Sequence, residues 1–267
     1  MPDLSACINN AEMPLNYESL VDATIIAVIN KLPDLNSTKL SPEYNYNSLP
    51  LCVIDAVFSI GVRYGTVRNV VNAWCMSQNP EWVKYWDNNA ASYSMSDFIK
   101  ILVDVPHKER SKRFFGGNIQ RTSTKKGILK TDAVLCYARC LQNAGIEDFC
   151  AMRDPEKALK AREETKKVPG HRSGISFDYL QMLSGDDNYV KADRMIKRFI
   201  AEAAQVDYAT IDVVTTQNTI KGASAKLSEK YEHVTPRLLD HTIWTYQRNQ
   251  HRQHRITAKK RGMVGQN

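Results

Sequence analysis

Residues 168–204 read VPGHRSGISFDYLQMLSGDDNYVKADRMIKRFIAEAA, and this stretch decides the fold. From Pro155 onward the pattern is helix, tight hairpin, helix, with Val168-Pro169-Gly170-His171-Arg172-Ser173 as the joint. Proline removes a helix donor and glycine accepts the unusual φ of a tight turn, so the pair punctuates the chain. Beyond the joint, Ile175, Tyr179, Met182 and Leu183 share one helical face, with Ser173 as the expected cap and Gly185 as the stop. After a loop over 185–192, Asp193 stands at the cap position of a third helix carrying Met195, Ile196, Phe199, Ile200 and Ala203.

The same helical period continues in both directions. Leu20, Val21, Ile25, Val28, Ile29 and Leu32 form a stripe that Pro33 is expected to end, before a loop over 34–50. Stripes at Val53–Val62 and Val67–Trp74 predict two packed helices broken at Gly65. Further stripes lie at Phe98–Leu102, at Val134–Leu141 before Gly145, and at Leu238, Leu239, Ile243 and Trp244. The stretch 108–130 reads as a loop around Gly116-Gly117-Asn118, and the β-branched run Thr210–Thr216 as a short strand. The expected class is mainly α. The expected organisation is an N-terminal helix and loop (1–50) packing on the second lobe, a helical lobe with a basic loop (51–150), a hairpin lobe with a closing helix (151–247), and a flexible basic tail (248–267).

A chain of 267 residues, 43% of them apolar, can bury a normal core. No apolar run reaches the roughly 18–20 residues of a membrane span, and Asp3 near a start without basic residues is unlike a secretory leader. A soluble cytoplasmic monomer is expected, nucleoid-associated in a prokaryote. The six cysteines fall mostly inside apolar periodic segments and form no paired C-x-x-C, so reduced core thiols are expected rather than a metal site. The net charge of +7 is polarised: 108–130 holds eight basic residues and one acid, and 248–267 six basic residues and no acid. Residues 1–50 hold six acids and two lysines. Such polarity suits a polyanion, whose condensed counterions are released by lysine and arginine.

The hairpin and the Asp193 segment beyond it resemble the helix-hairpin-helix superfamily of base-excision DNA glycosylases. That family's hairpin reads Leu-Pro-Gly-Val-Gly, with an aspartate about twenty residues later. Here the match is Val168-Pro169-Gly170, then Val190-Lys191-Ala192-Asp193, with Arg198 after it. Weaker similarity runs back through Leu51–Trp74 and Gly127–Gly145 and on to Pro236–Trp244, so the resemblance covers roughly 50–245. It implies a two-lobed helical fold with a DNA cleft between the lobes. It also implies hydrolysis of the N-glycosidic bond of a flipped base, with Asp193 as the catalytic carboxylate. Gly170, His171, Arg172, Ser173 and Gly174 would then hold a phosphate of duplex DNA through backbone N–H groups. No organic cofactor is implied, only a structural monovalent cation at the hairpin.

Two departures refine the expectation. Arg172 replaces the family's second hairpin glycine and adds a charge for the same phosphate. The position of the lysine that some members use for strand cleavage is Gly174, and no cysteine comes after Cys150 to complete an iron–sulfur set. The expected enzyme is therefore monofunctional and lacks that cluster. Its target is a damaged, mismatched or modified base, in repair or in defence against invading DNA.

Smaller candidates complete the reading. Asp55, Ser59 and Arg63 fall on one side of the second helix and would border a base pocket. Asn118, Gln120, Arg121, Lys125 and Lys126 would meet DNA from the basic loop. Trp244 or Tyr246 would stack on a base, and His241 would act as an acid. Two rival readings stand beside the enzyme: a DNA-binding protein in which Asp193 only caps its helix, and a basic domain that binds an acidic protein.

Overall fold

The computed structural model describes residues 16–32, 34–41, 44–78 and 93–264, with side chains through Gln250. Cys7, Pro33 and the last three residues of the expected tail lie outside the described residues. Twelve α-helices make up the described chain, with no strand beyond one isolated bridge between Arg121 and Leu129. They are α1 (Tyr17–Lys31), α2 (Leu49–Phe58), α3 (Tyr64–Gln78), α4 (Met95–Val103), α5 (His107–Phe114) and α6 (Lys130–Asn143). The second half of the chain adds α7 (Phe149–Met152), α8 (Pro155–Thr165), α9 (Ile175–Leu183), α10 (Arg194–Ala204), α11 (Val213–Ser228) and α12 (Pro236–Val264). Short polar side chains start many of them. Asn16, Ser94, Asp148, Asp154, Asp193 and Asp212 each accept an N–H of the first turn, which would otherwise have no partner inside the helix.

The buried apolar side chains fall into two clusters. The first runs from Tyr46 to Leu183 and is filled by Trp74, whose ring lies 4.9 Å from Phe98 and 5.3 Å from Phe114. The second joins α1 to α10, α11 and α12 through Leu20, Val28, Ile196, Phe199, Ile220 and Ile243. The N-terminal helix thus packs across a long sequence gap. The chain passes from the first cluster to the second between Leu183 and Val190, and not at the expected lobe boundary of 150.

Four local expectations are corrected. The run Thr210–Thr216 is not a strand: Asp212 Oδ1 accepts the Thr215 N–H at 2.7 Å and opens α11. Thr216 and Thr219 return their hydroxyls to carbonyls four residues back, so the β-branched residues are absorbed by the helix. The basic stretch begins as α5 rather than a loop, because Pro106 leads into good helix formers and Phe114 is buried at the end. The break between α2 and α3 falls at Gly61, with φ at 65°, while Gly65 lies inside α3. Finally, α12 runs through Val264 where a flexible tail was expected; the stretch 237–261 offers it neither proline nor glycine as a stop.

Polar pins cross between the clusters. Asp178 on α9 is buried and accepts Arg162 Nε from α8 at 3.2 Å and Gln217 Nε2 from α11 at 2.8 Å. Removing one partner of such a buried set strands the rest. Asp178→Ala is expected to lower stability by about 3 kcal/mol in urea unfolding. A loss below about 1 kcal/mol, the range of an exposed pair, would show that this pin holds little.

Candidate functional site

A cleft of about 1180 Å³ opens along the seam between the two clusters. One wall is the turn from Ser59 to Tyr64 with the hairpin residues Gly170 and Ser173 and the α9 face at Ser176 and Tyr179. The other is Lys191 to Arg198 together with the α12 face at Arg237, Asp240, His241 and Trp244. Arg63, Lys191, Arg194, Arg198, Arg237 and Arg248 line it against two carboxyl groups, Asp193 and Asp240. Such a groove concentrates an anionic ligand.

Asp193 stands at the mouth of α10 on this cleft. Its Oδ1 accepts the backbone N–H groups of Met195 at 2.7 Å and Ile196 at 3.3 Å, which fixes the rotamer. Two residues earlier, Lys191 crosses the seam. Its Nζ lies 3.1 Å from Ser59 Oγ and 3.5 Å from the centre of the Tyr179 ring, while its backbone N–H donates to Asp240 Oδ1 at 3.0 Å. Burial lowers the amine's pKa against the opposing pull of Asp193, Asp55 and Asp240. Asp240 is buried, and burial together with the charge of Asp193 raises its carboxyl well above the usual range, with Lys191 opposing.

The sequence candidates around α2 separate. Ser59 lines the cleft as expected, and so does Arg63. Asp55 does not: it is fully buried behind the wall, where Oδ2 accepts the Tyr46 hydroxyl at 2.7 Å and where its charge adds to burial in raising the Tyr179 phenol. It acts on the cleft through Tyr179 and Lys191 and is not itself a lining residue. The Ser59 turn is held from below by Lys130, whose buried Nζ donates to Phe58 O at 2.9 Å and Ile60 O at 2.6 Å. Burial and the charge of Lys191 push that amine down to about 8.

The hairpin is a tight turn with Gly170 at φ 90° and Gly174 at φ 76°. Gly174, not Ser173, is the cap residue of α9; it takes the αL geometry that glycine tolerates and has no side chain with which to cap the first turn. Ser173 Oγ reaches the Ile175 N–H only at 3.5 Å. Arg172 and Ser173 are exposed, as a contact role requires. His171 is not: it is 1% exposed, with Nδ1 2.8 Å from Ser176 Oγ and its ring 4.9 Å from Tyr137. Burial, and then Lys130, push it down to about 4, so the imidazole is a neutral core group. The basic turn docks on this hairpin. Arg121, Lys125 and Lys126 are exposed, Asn118 and Gln120 half-buried, and Arg121 Nε ties the turn shut on Gly127 O at 3.0 Å.

An aromatic wall closes the far side. Tyr44 lies 4.4 Å from His241 and 5.4 Å from Tyr64, and Tyr64 meets Trp244 edge-on at 5.9 Å. Arg248 sits 4.8 Å over the Trp244 ring. Tyr246 points away and packs on Phe199 in the second cluster. His241 is pushed down to about 4 by burial, Arg248 and Arg237, which leaves it uncharged at neutral pH. Sequence reasoning missed Lys191, Asp240 and Arg237. For two of these a signal existed: Arg237, Asp240, His241, Trp244 and Arg248 recur at helical spacing and so share one face of α12.

A side chain at position 170 would collide with the basic turn, since a Cβ there meets Thr122 Cβ at 2.6 Å. Gly170→Ala is expected to lower stability by about 1–3 kcal/mol in thermal unfolding. An unchanged melting point would show that the turn yields freely.

No curated protein and no solved structure matches the chain. Residues 23–248 match a domain family of unknown function, DUF8548, and this span takes in the first cluster, the second apart from Leu20 and Val21, and every residue of the cleft wall up to Arg248. The chain therefore belongs to the DUF8548 family.

Proposed function

We propose that this protein is a DNA glycosylase of the helix-hairpin-helix kind, two-lobed, that hydrolyses the N-glycosidic bond of a base flipped out of duplex DNA. The observation that carries the reading is the meeting of Asp193, the hairpin residues Gly170 and Ser173, and six cationic side chains in one cleft. A glycosylase needs these elements together: donors and charge for the backbone, a recess for the extruded nucleotide, and a carboxylate beside its sugar. The target base is a damaged, mismatched or modified one.

Asp193 serves as the carboxylate. Both cap bonds go to Oδ1, so its position is fixed before substrate arrives and nothing reorganises as positive charge develops on the sugar. The exposed residues Arg121, Lys125, Lys126 and Arg172 hold the duplex on the side where the basic turn packs on the hairpin. The aromatic wall of Tyr44, Tyr64 and Trp244 supplies ring edges and faces for a flat base. The same capping bonds favour one rival, a DNA-binding protein in which Asp193 only starts α10.

Asp193→Asn separates the two. Asparagine caps as well as aspartate, so α10 is retained while the negative charge is lost. The expected outcome is unchanged duplex binding with base release lowered by about 100-fold or more, measured on duplexes carrying damaged, mismatched and modified bases. Equal release by both proteins would remove Asp193 from the chemistry. Tight, salt-sensitive binding without release by either would favour the binding protein.

A further inference from the structure

We propose that Asp240 is a second catalytic group of the cleft, an acid that gives a proton to the departing base while Asp193 acts at the sugar. The assignment rests on the glycosylase reading and deepens it. Asp240 and Asp193 line the same cleft from different elements and flank one short segment. Lys191 donates its N–H to Asp240 Oδ1 at 3.0 Å, and its carbonyl accepts the Asp193 N–H at 2.5 Å.

Asp240 is 4% exposed, and among the described residues its one hydrogen bond is that backbone donor. The cations near it are committed elsewhere. The Lys191 amine turns to Ser59 and the Tyr179 ring, and Arg237, one turn earlier on α12, binds Asp187, the Tyr44 carbonyl and Asn45. From α10, Arg194 and Arg198 share the cleft wall, and no residue of α11 lines it. A buried carboxyl group with one neutral donor and a second carboxylate nearby keeps its proton. Burial and Asp193 together hold Asp240 above the usual carboxylate range. The neighbouring His241, pushed down to about 4, has no such proton to give at neutral pH.

Two carboxyl groups in one cleft with unlike surroundings divide the work of acid and charge stabiliser. The Asp240 hydroxyl transfers its proton to a ring nitrogen of the base as the C1′–N bond breaks, and that bond's electron pair leaves with the base. Water adds to C1′ and releases a proton, which returns through solvent to the Asp240 carboxylate. The balance is nucleotide plus water to abasic site plus free base.

The test is single-turnover base release by wild type and Asp240→Asn between about pH 5 and about pH 9 on the duplex panel, including N7-methylguanine. That base leaves neutral without an added proton. The active form of wild type is the protonated one, so its rate should fall as pH rises through the Asp240 pKa. Asp240→Asn keeps the size and the acceptor for the Lys191 N–H. It should be slower by about 100-fold on bases that need a proton, less than about tenfold on N7-methylguanine, and without the fall at high pH. Equal losses on both kinds of base, or wild-type rates throughout, would overturn the assignment while leaving the glycosylase reading in place. A wild-type profile flat at high pH would overturn it even if the variant failed to fold. No release by wild type from any duplex would overturn both.

Discussion

Lys191 is stretched between two hydrophobic cores, and the arrangement of the cleft depends on that span. Its neighbour Val190 is anchored in the second core, while the amine rests on Tyr179 and Ser59 of the first. A cation held over an aromatic ring away from water is worth about 2 kcal/mol, enough to offset part of the cost of burying the charge. The same residue's backbone orders Asp240, and its side chain orders the Ser59 turn. Lys130 braces that turn from beneath, so two lysines of one charge are kept close by carbonyls, a hydroxyl and a ring rather than by ion pairs. Asp55 and Asp193, the carboxylates beside Lys191, oppose this concentration of positive charge, while Asp240 keeps its proton.

Local signals were legible where the physics is local. The apolar period of α10 and its cap at Asp193 arise from a dozen adjacent residues, and the Pro169-Gly170 turn is written in two. The misread elements are those where one local preference competes with another. β-branched residues at 210–216 favour extended backbone, but a single aspartate cap and a buried face at Thr216, Thr219, Ile220 and Ala223 outweigh them. The place of His171 in the hairpin suggests a contact residue, yet Tyr137 and Ser176 draw it into the core.

The chemistry of the site was less legible, because it is assembled from distant segments. Ser59 and Lys191 lie 132 residues apart in sequence and meet only when α9 has brought the two walls together. Nothing in the tetrad Val190-Lys191-Ala192-Asp193 marks its lysine as buried. Asp240 differs, since its helix repeats charged and aromatic residues on one face, a pattern unsuited to a plain core helix. Gly170 illustrates a third case: the residue was legible as a turn former, but its second duty, making room for Thr122 and so seating the basic turn, is visible only in three dimensions.

The division of the chain between the clusters bears on how it is made. The first core is built from one continuous stretch, Tyr46 to Leu183, whereas the second needs α1 to find α10 and α11. Lys31 and Arg194 are about 160 residues apart, and at roughly 5–20 residues per second a ribosome takes on the order of ten to thirty seconds to supply the partner. The continuous core is itself complete only at Leu183, shortly before α10 begins, and until then Leu20, Val21 and Val28 of α1 have no lasting surface to cover them. The nascent chain therefore carries an orphaned apolar helix ahead of a core that is still being made.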